Sequence, residues 1–192
     1  SAYATIARNL NNKLVEIRLF FKNVNRTHSF IFDNLSTLNF KNANAGLSKK
    51  ENIISFGAEA SNPFINLGFK NYIITNLAYF TGYYHTAQSS KVISVLQLSA
   101  SKKIKLTKYW NLYTEITFQQ TDGSAPVKVP LLFTRNRLAY EGVFYKNLNL
   151  SAGLEFRYFT PYEAYNYSPL VAQFVPQDTF KLKNLPDISA FL

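Results

Sequence analysis

Between Tyr109 and Tyr158 apolar and polar residues alternate over runs longer than an ordinary globular strand. From Trp110 to Thr121 one side collects Trp110, Leu112, Ile116 and Phe118, with Thr114 the mild exception; the other collects Asn111, Tyr113, Glu115, Thr117, Gln119 and Thr121. Successive side chains leave an extended chain on opposite faces, so a period of two means a strand with one apolar and one polar face. The pattern returns at Leu148, Leu150, Ala152, Leu154, Phe156 and Tyr158, and between the two runs Leu138, Tyr140, Gly142 and Phe144 face away from Arg137, Ala139, Glu141 and Val143. Globular strands are typically about 5–6 residues long. These runs reach the roughly 9–11 residues that a tilted strand needs to cross a bilayer.

The rest of the chain repeats the theme. Val15, Ile17, Leu19 and Phe21 oppose Glu16, Arg18, Phe20 and Lys22, and Ile54, Phe56, Ala58 and Ala60 oppose Ser55, Gly57 and Glu59. Phe64–Lys70 alternates again, Tyr72–Tyr84 reads as one aromatic-ended segment, and Val92–Ala100 is followed by a bulge or turn at Ser101-Lys102-Lys103. Residues 34–46 are the least legible, with a candidate strand at Thr37–Asn42. Thr121 to Pro126 has loop chemistry, and past Tyr158 a Pro- and Tyr-rich connection leads to a last strand from Leu185. About eight or nine strands in one domain, residues 1–192, are expected. Short turns alternating with longer loops match a membrane barrel. The expected fold is all-β, an antiparallel transmembrane β-barrel, and the length suits one domain or part of a larger barrel.

Composition narrows the chemistry. There are no cysteines, hence no disulfide, thiol nucleophile or cysteine metal site. No apolar run approaches the ~18–20 residues of a membrane helix, which leaves a barrel untouched. The net charge of +10 invites a nucleic-acid reading. Many lysines, however, sit at turns (Lys13, Lys49, Lys50, Lys102, Lys103, Lys108, Lys146) and form no continuous basic stripe, so no nucleic-acid partner is expected. His28 and His85 lack the neighbours of a metal site or a catalytic triad and read as solvated loop residues. Glu141 and Glu155 raise the paired carboxylates of glycosidic chemistry, but in alternating strands such charges belong to a wall. No enzyme activity, cofactor or metal is expected.

The residues Trp110-Asn111-Leu112-Tyr113-Thr114-Glu115, Pro130-Leu131-Leu132-Phe133-Thr134-Arg135, Glu141-Gly142, Lys146-Asn147-Leu148, Arg157-Tyr158-Phe159-Thr160-Pro161-Tyr162 and Pro176-Gln177-Asp178 carry a resemblance, as does the earlier Asn23-Val24-Asn25-Arg26-Thr27. They resemble the C-terminal half of the putative-porin family of Bacteroidetes-type outer-membrane barrels. The resemblance implies a barrel in the bacterial outer membrane, presumed to form a pore, with no catalytic residues.

On that footing Glu16, Arg18, Glu59, Glu115, Arg137, Glu141, Glu155 and Arg157 are expected to line a water-filled lumen and set ion selectivity by their field. The competing role for them is cross-strand ion pairing that stiffens the wall or seals a plugged interior. Val15, Ile17, Leu19, Leu112, Ile116, Phe118, Leu150, Leu154 and Phe156 are expected to face lipid. Tyr79–Tyr84 reads as an interface girdle, and Tyr158–Tyr167 as a girdle or a partner surface. The leading functional expectation is passive diffusion of small polar solutes. A second is a structural or docking barrel subunit of an outer-membrane complex, with other outer-membrane or periplasmic proteins as partners. A third is a soluble β-sandwich binding module, which requires the apolar faces to be buried between two sheets.

Overall fold

The computed structural model describes residues 2–10, 13–32, 49–82, 85–122, 125–144, 147–183 and 186–192. Nine strands form one antiparallel sheet: β1 (Ala2–Leu10), β2 (Lys13–Arg26), β3 (Glu51–Ser61), β4 (Asn66–Thr75), β7 (Ile93–Lys105), β8 (Trp110–Thr121), β9 (Leu132–Phe144), β10 (Leu148–Phe159) and β13 (Asp187–Phe191). They lie side by side in chain order. Two small hairpins stand outside that sheet, β5 (Ala78–Thr81) with β6 (His85–Gln88), and β11 (Asn166–Ser168) with β12 (Gln173–Val175). The all-β, antiparallel expectation holds. Among the described residues the sheet is open, with β1 and β13 as its edges. Because every neighbouring pair is antiparallel, these two edge strands run in the same direction.

The connections divide by end. Residues 11–12, 62–65, 106–109 and 145–147 join strands at one end of the sheet; residues 27–50, 76–92, 122–131 and 160–186 join them at the other. The long-loop end carries much of the dry packing. Phe80, Val171 and Val175 are buried together, with Ile31 and Phe32 against them, and the Phe32 and Phe80 rings stack 4.8 Å apart. Three of the four long connections therefore meet in one apolar cluster. Gln88 Nε2 adds a polar tie by donating to the carbonyls of Lys49 (2.6 Å) and Asn76 (2.8 Å).

Several sequence expectations need correction. Tyr72–Tyr84 is not one strand, because β4 ends at Thr75 and Asn76 turns the chain at a φ of 55°. Asn tolerates that left-handed backbone, and its Nδ2 donates to the carbonyl of Lys50 at 3.2 Å. The residues beyond fold as the β5–β6 hairpin, so Tyr79 lies outside the nine-stranded sheet. Asn66–Lys70 and the start of that segment instead belong to one strand, β4, whereas Phe64 and Ile65 lie in the turn before it. Ser101-Lys102-Lys103 neither bulges nor turns: β7 runs through to Lys105, with Ser101 opposite Glu115 and Lys103 opposite Tyr113 on β8. The connection past Tyr158 contains the β11–β12 hairpin. The candidate strand at Thr37–Asn42 lies outside the described residues.

The register also explains one glycine. Gly153 sits opposite Ala139, which is fully buried, and a Cβ there would collide with the Leu138 carbonyl oxygen, a backbone atom that cannot swing away. Gly153→Val is expected to destabilise the fold by about 1–3 kcal/mol through overpacking, read as a lower denaturant midpoint for the refolded protein.

Candidate functional site: the charged face of the sheet

Cross-strand partners share a face, so the register sorts every strand residue to one side. Glu16 stands opposite Ser61 and Arg18 opposite Glu59; Glu115 stands opposite Arg135, Arg137 opposite both Tyr113 and Glu155, Glu141 opposite Ser151, and Arg157 opposite Arg135 and Asp187. Following the pairs strand by strand puts all eight charged residues singled out from the sequence on one face. Val15, Ile17, Leu19, Leu112, Ile116, Phe118, Leu150, Leu154 and Phe156 fall on the other.

The apolar face is bare. Ile17, Leu19, Phe21, Phe56, Leu67, Phe69, Leu98, Ile116, Leu154 and Phe156 are exposed on it, and Val15, Leu112, Phe118 and Leu150 are half-buried. The main contacts of the nine strands are with their sheet neighbours, and no second sheet covers this face among the described residues. From β3 onward Lys102, near the short-turn end, is the only charged residue on it among the described strand residues. Trp110 and Tyr140 meet edge to face at 5.5 Å at that same end, with Tyr109 5.7 Å from Tyr140. An apolar patch of this extent marks an interaction surface.

The polar face is organised by carboxylates set into the wall. Glu155 is 5% exposed, and its Oε2 accepts from Arg135 Nε (2.9 Å) and Nη2 (2.7 Å). Its Oε1 accepts from Arg157 Nε at 2.6 Å and also meets Arg157 Nη2. Glu141 accepts from the Tyr113 hydroxyl (2.6 Å), Asn111 Nδ2 (2.7 Å) and Lys103 Nζ (3.4 Å), with Arg137 Nη2 at 4.0 Å. Tyr113 lies between two cations, Lys103 at 4.9 Å and Arg137 at 4.7 Å from its ring centre. Further along the face Lys70 pairs with Glu59 at 3.0 Å and Arg18 with Glu16 at 3.1 Å. Two hollows open on this side: one of about 330 Å³ bordered by Glu16, Arg18 and Glu59, the other of about 420 Å³ bordered by Lys103, Tyr113, Glu115, Arg135 and Arg137.

Lys103 and Arg135 are functional candidates that sequence reasoning passed over. Arg135 precedes the alternation that begins at Arg137, and Ser101-Lys102-Lys103 has the local composition of a turn. The signal was available in the continued period of two through Ser101, Lys103 and Lys105, and through Arg135 and Arg137. The histidines do not enter this face: His28 lies before the short 3-10 turn Phe30–Phe32, and His85 is exposed in β6. Among the described residues no group of His, Asp and Glu could hold a metal ion.

In the loops, Lys128 joins two connections by pairing with Glu163 (2.8 Å) and Asp178 (2.9 Å). Its backbone N–H donates to the Tyr165 hydroxyl at 3.0 Å, which in turn donates to the Pro126 carbonyl. The hydrogen bond to Glu163, followed by that to Asp178, raises the Lys128 pKa; the hydrogen bond from Lys128 lowers that of Asp178.

A family model described as "Putative porin" matches residues 2–192. No curated protein matches the chain.

Two predictions test this geometry. Replacing Arg135 and Arg157 together by Gln strands the Glu155 carboxylate and is expected to cost about 3–5 kcal/mol, and adding Glu155→Gln is expected to recover most of it in the same denaturant titration. The loop tie has a pH window. The Asp178 contribution is present above the ordinary carboxyl value of roughly 3.9 and is lost as pH falls through its lowered folded pKa, whereas the Lys128 contribution is present below roughly 10.4 and is lost as pH rises through its raised folded pKa. The Lys128 amide NMR signal is therefore expected to hold between these limits and to shift outside them.

Proposed function

The chain belongs to this porin family, and from that premise we propose that it forms part of the wall of an outer-membrane β-barrel through which small polar solutes diffuse passively. The observation that carries the reading is the two-sided sheet: a bare apolar face backed by a hydrated, charged one, on strands of 10 to 14 residues from β2 to β10 within the sheet. In a barrel the apolar band faces acyl chains and the polar residues face the lumen. The Trp110–Tyr140–Tyr109 cluster at one end of that band has the character of an interfacial aromatic belt. Short turns at one end and long loops at the other support the usual barrel orientation, with the long loops outward. Glu16, Arg18, Glu59, Glu115, Arg137, Glu141, Glu155 and Arg157 then line the lumen, where size exclusion and their field select among solutes.

A second reading, a structural or docking subunit with an obstructed lumen, is favoured by the packed loop cap around Phe80, Val171 and Val175. The soluble β-sandwich has no support here, because no facing sheet buries Ile116, Leu154 or their neighbours among the described residues.

Reconstitution distinguishes the readings. The protein in planar bilayers is expected to give ion conductance, and Ile116→Arg at the middle of β8 is expected to lower stability in lipid by roughly 2–4 kcal/mol, while Gln119→Arg on the lumen face is tolerated. A non-conducting barrel that co-purifies with a partner would favour the docking subunit. Equal tolerance of arginine on both faces would remove the membrane reading.

A further inference from the structure

Around Glu155 the polar face presents more positive charge than its formal balance suggests, because there the anion and its cations are not equally turned outward. The Glu155 side chain is 6% exposed, whereas those of Arg135, Arg157 and Lys103 are 45%, 46% and 52% exposed. The two wall carboxylates, Glu141 and Glu155, already have both oxygens engaged. The cations stand above them.

Arg137 is the distinctive member. Its guanidinium lies against the Tyr113 ring at 4.7 Å and the Phe191 ring at 5.2 Å, which fixes its position without using its donors. The carboxylate it pairs with, Glu141, is 4.0 Å away and is held more closely by three other groups. Its Nε is buried with no hydrogen-bond partner among the described residues. That Nε is closed off from a solute, but a guanidinium oriented by aromatic rings and with one distant carboxylate partner is prepared to offer its outer N–H groups to an oxyanion. Arg137 borders the 420 Å³ hollow together with Arg135 and Lys103.

We propose that this hollow is a binding subsite for a small oxyanion, the carboxylate or phosphate group of a solute, with Arg137 as its main contact and Arg135 and Lys103 as its flanks. The proposal deepens the pore reading and rests on it for the origin of the anion. Glu115, exposed on the same wall opposite Arg135, tempers the positive field. Weak retention suits a conduit, since a solute must leave as well as enter.

The test measures binding and conduction separately. Inorganic phosphate and acetate are titrated into the detergent-solubilised protein by calorimetry, and each is added as a blocker of chloride current in planar bilayers. Saturable binding of at least one anion is expected, weakened about tenfold or more in Arg137→Gln, the loss expected on removing a hydrogen bond to a charged group. Lys103→Gln, an exposed position, supplies a second variant should the first fail to fold by circular dichroism. Preference for phosphate or for acetate identifies the anion class. Absence of saturable binding, or equal affinity in a folded Arg137→Gln or Lys103→Gln protein, overturns the subsite. Conductance without anion binding leaves the pore and removes the subsite; Arg137-dependent binding by a protein that passes no current leaves the subsite and removes the pore.

Discussion

A single-layer sheet with one apolar side has to have that side covered by something other than water. Here the described chain supplies no covering layer: Ile17, Leu67, Leu98, Ile116 and Leu154, on five different strands, share one face and are exposed on it. At about 25 cal/mol per Å² of apolar surface, leaving such a face in water opposes the fold that creates it. Much of the dry packing lies instead among the loops, where Phe32 stacks on Phe80 beside Val171 and Val175. That inverts the usual globular plan. The wall depends on its surroundings for its apolar side, and the loops carry a small core of their own.

The other side of the wall solves an electrostatic problem. A carboxylate as enclosed as Glu155 is costly unless paired and hydrogen-bonded. Arg135 and Arg157 meet both of its oxygens while their own side chains stay exposed. Glu141 is held by a phenol, an amide and an ammonium group, so its neutralisation is shared rather than assigned to one partner. The face is polar, yet much of its charge is already spoken for, and the donors that remain belong chiefly to arginine and lysine.

Much of this was legible in the sequence because a period of two is a purely local property. Trp110 to Thr121 and Leu148 to Tyr158 announce their faces without reference to any other strand, and the residues picked from them sort to the two sides as alternation requires. What alternation does not encode is which neighbour a side chain meets. Arg137 lies directly opposite Glu155, yet Glu155 is held by Arg135, on the diagonal, and by Arg157 on its own strand. Lys103 was hidden because Ser-Lys-Lys resembles a turn, although a long lysine stem is at home near the end of a strand. The loop cap was least legible. Its aromatics carry no periodicity, and the Asn76 backbone that separates Thr75 from the β5–β6 hairpin leaves only a weak local trace. The family match runs over residues 2–192 of the chain, well beyond the short motifs that carry the sequence resemblance.

The shared direction of β1 and β13 fixes a parity. Hydrogen-bonding these margins to each other would make one parallel seam in an otherwise antiparallel cylinder, with slanted bonds where all the others run perpendicular. A cylinder antiparallel throughout needs an odd number of staves between them, and so an even total. The circumference of any conduit bounded by this wall therefore grows in steps of two strands, and its bore with it.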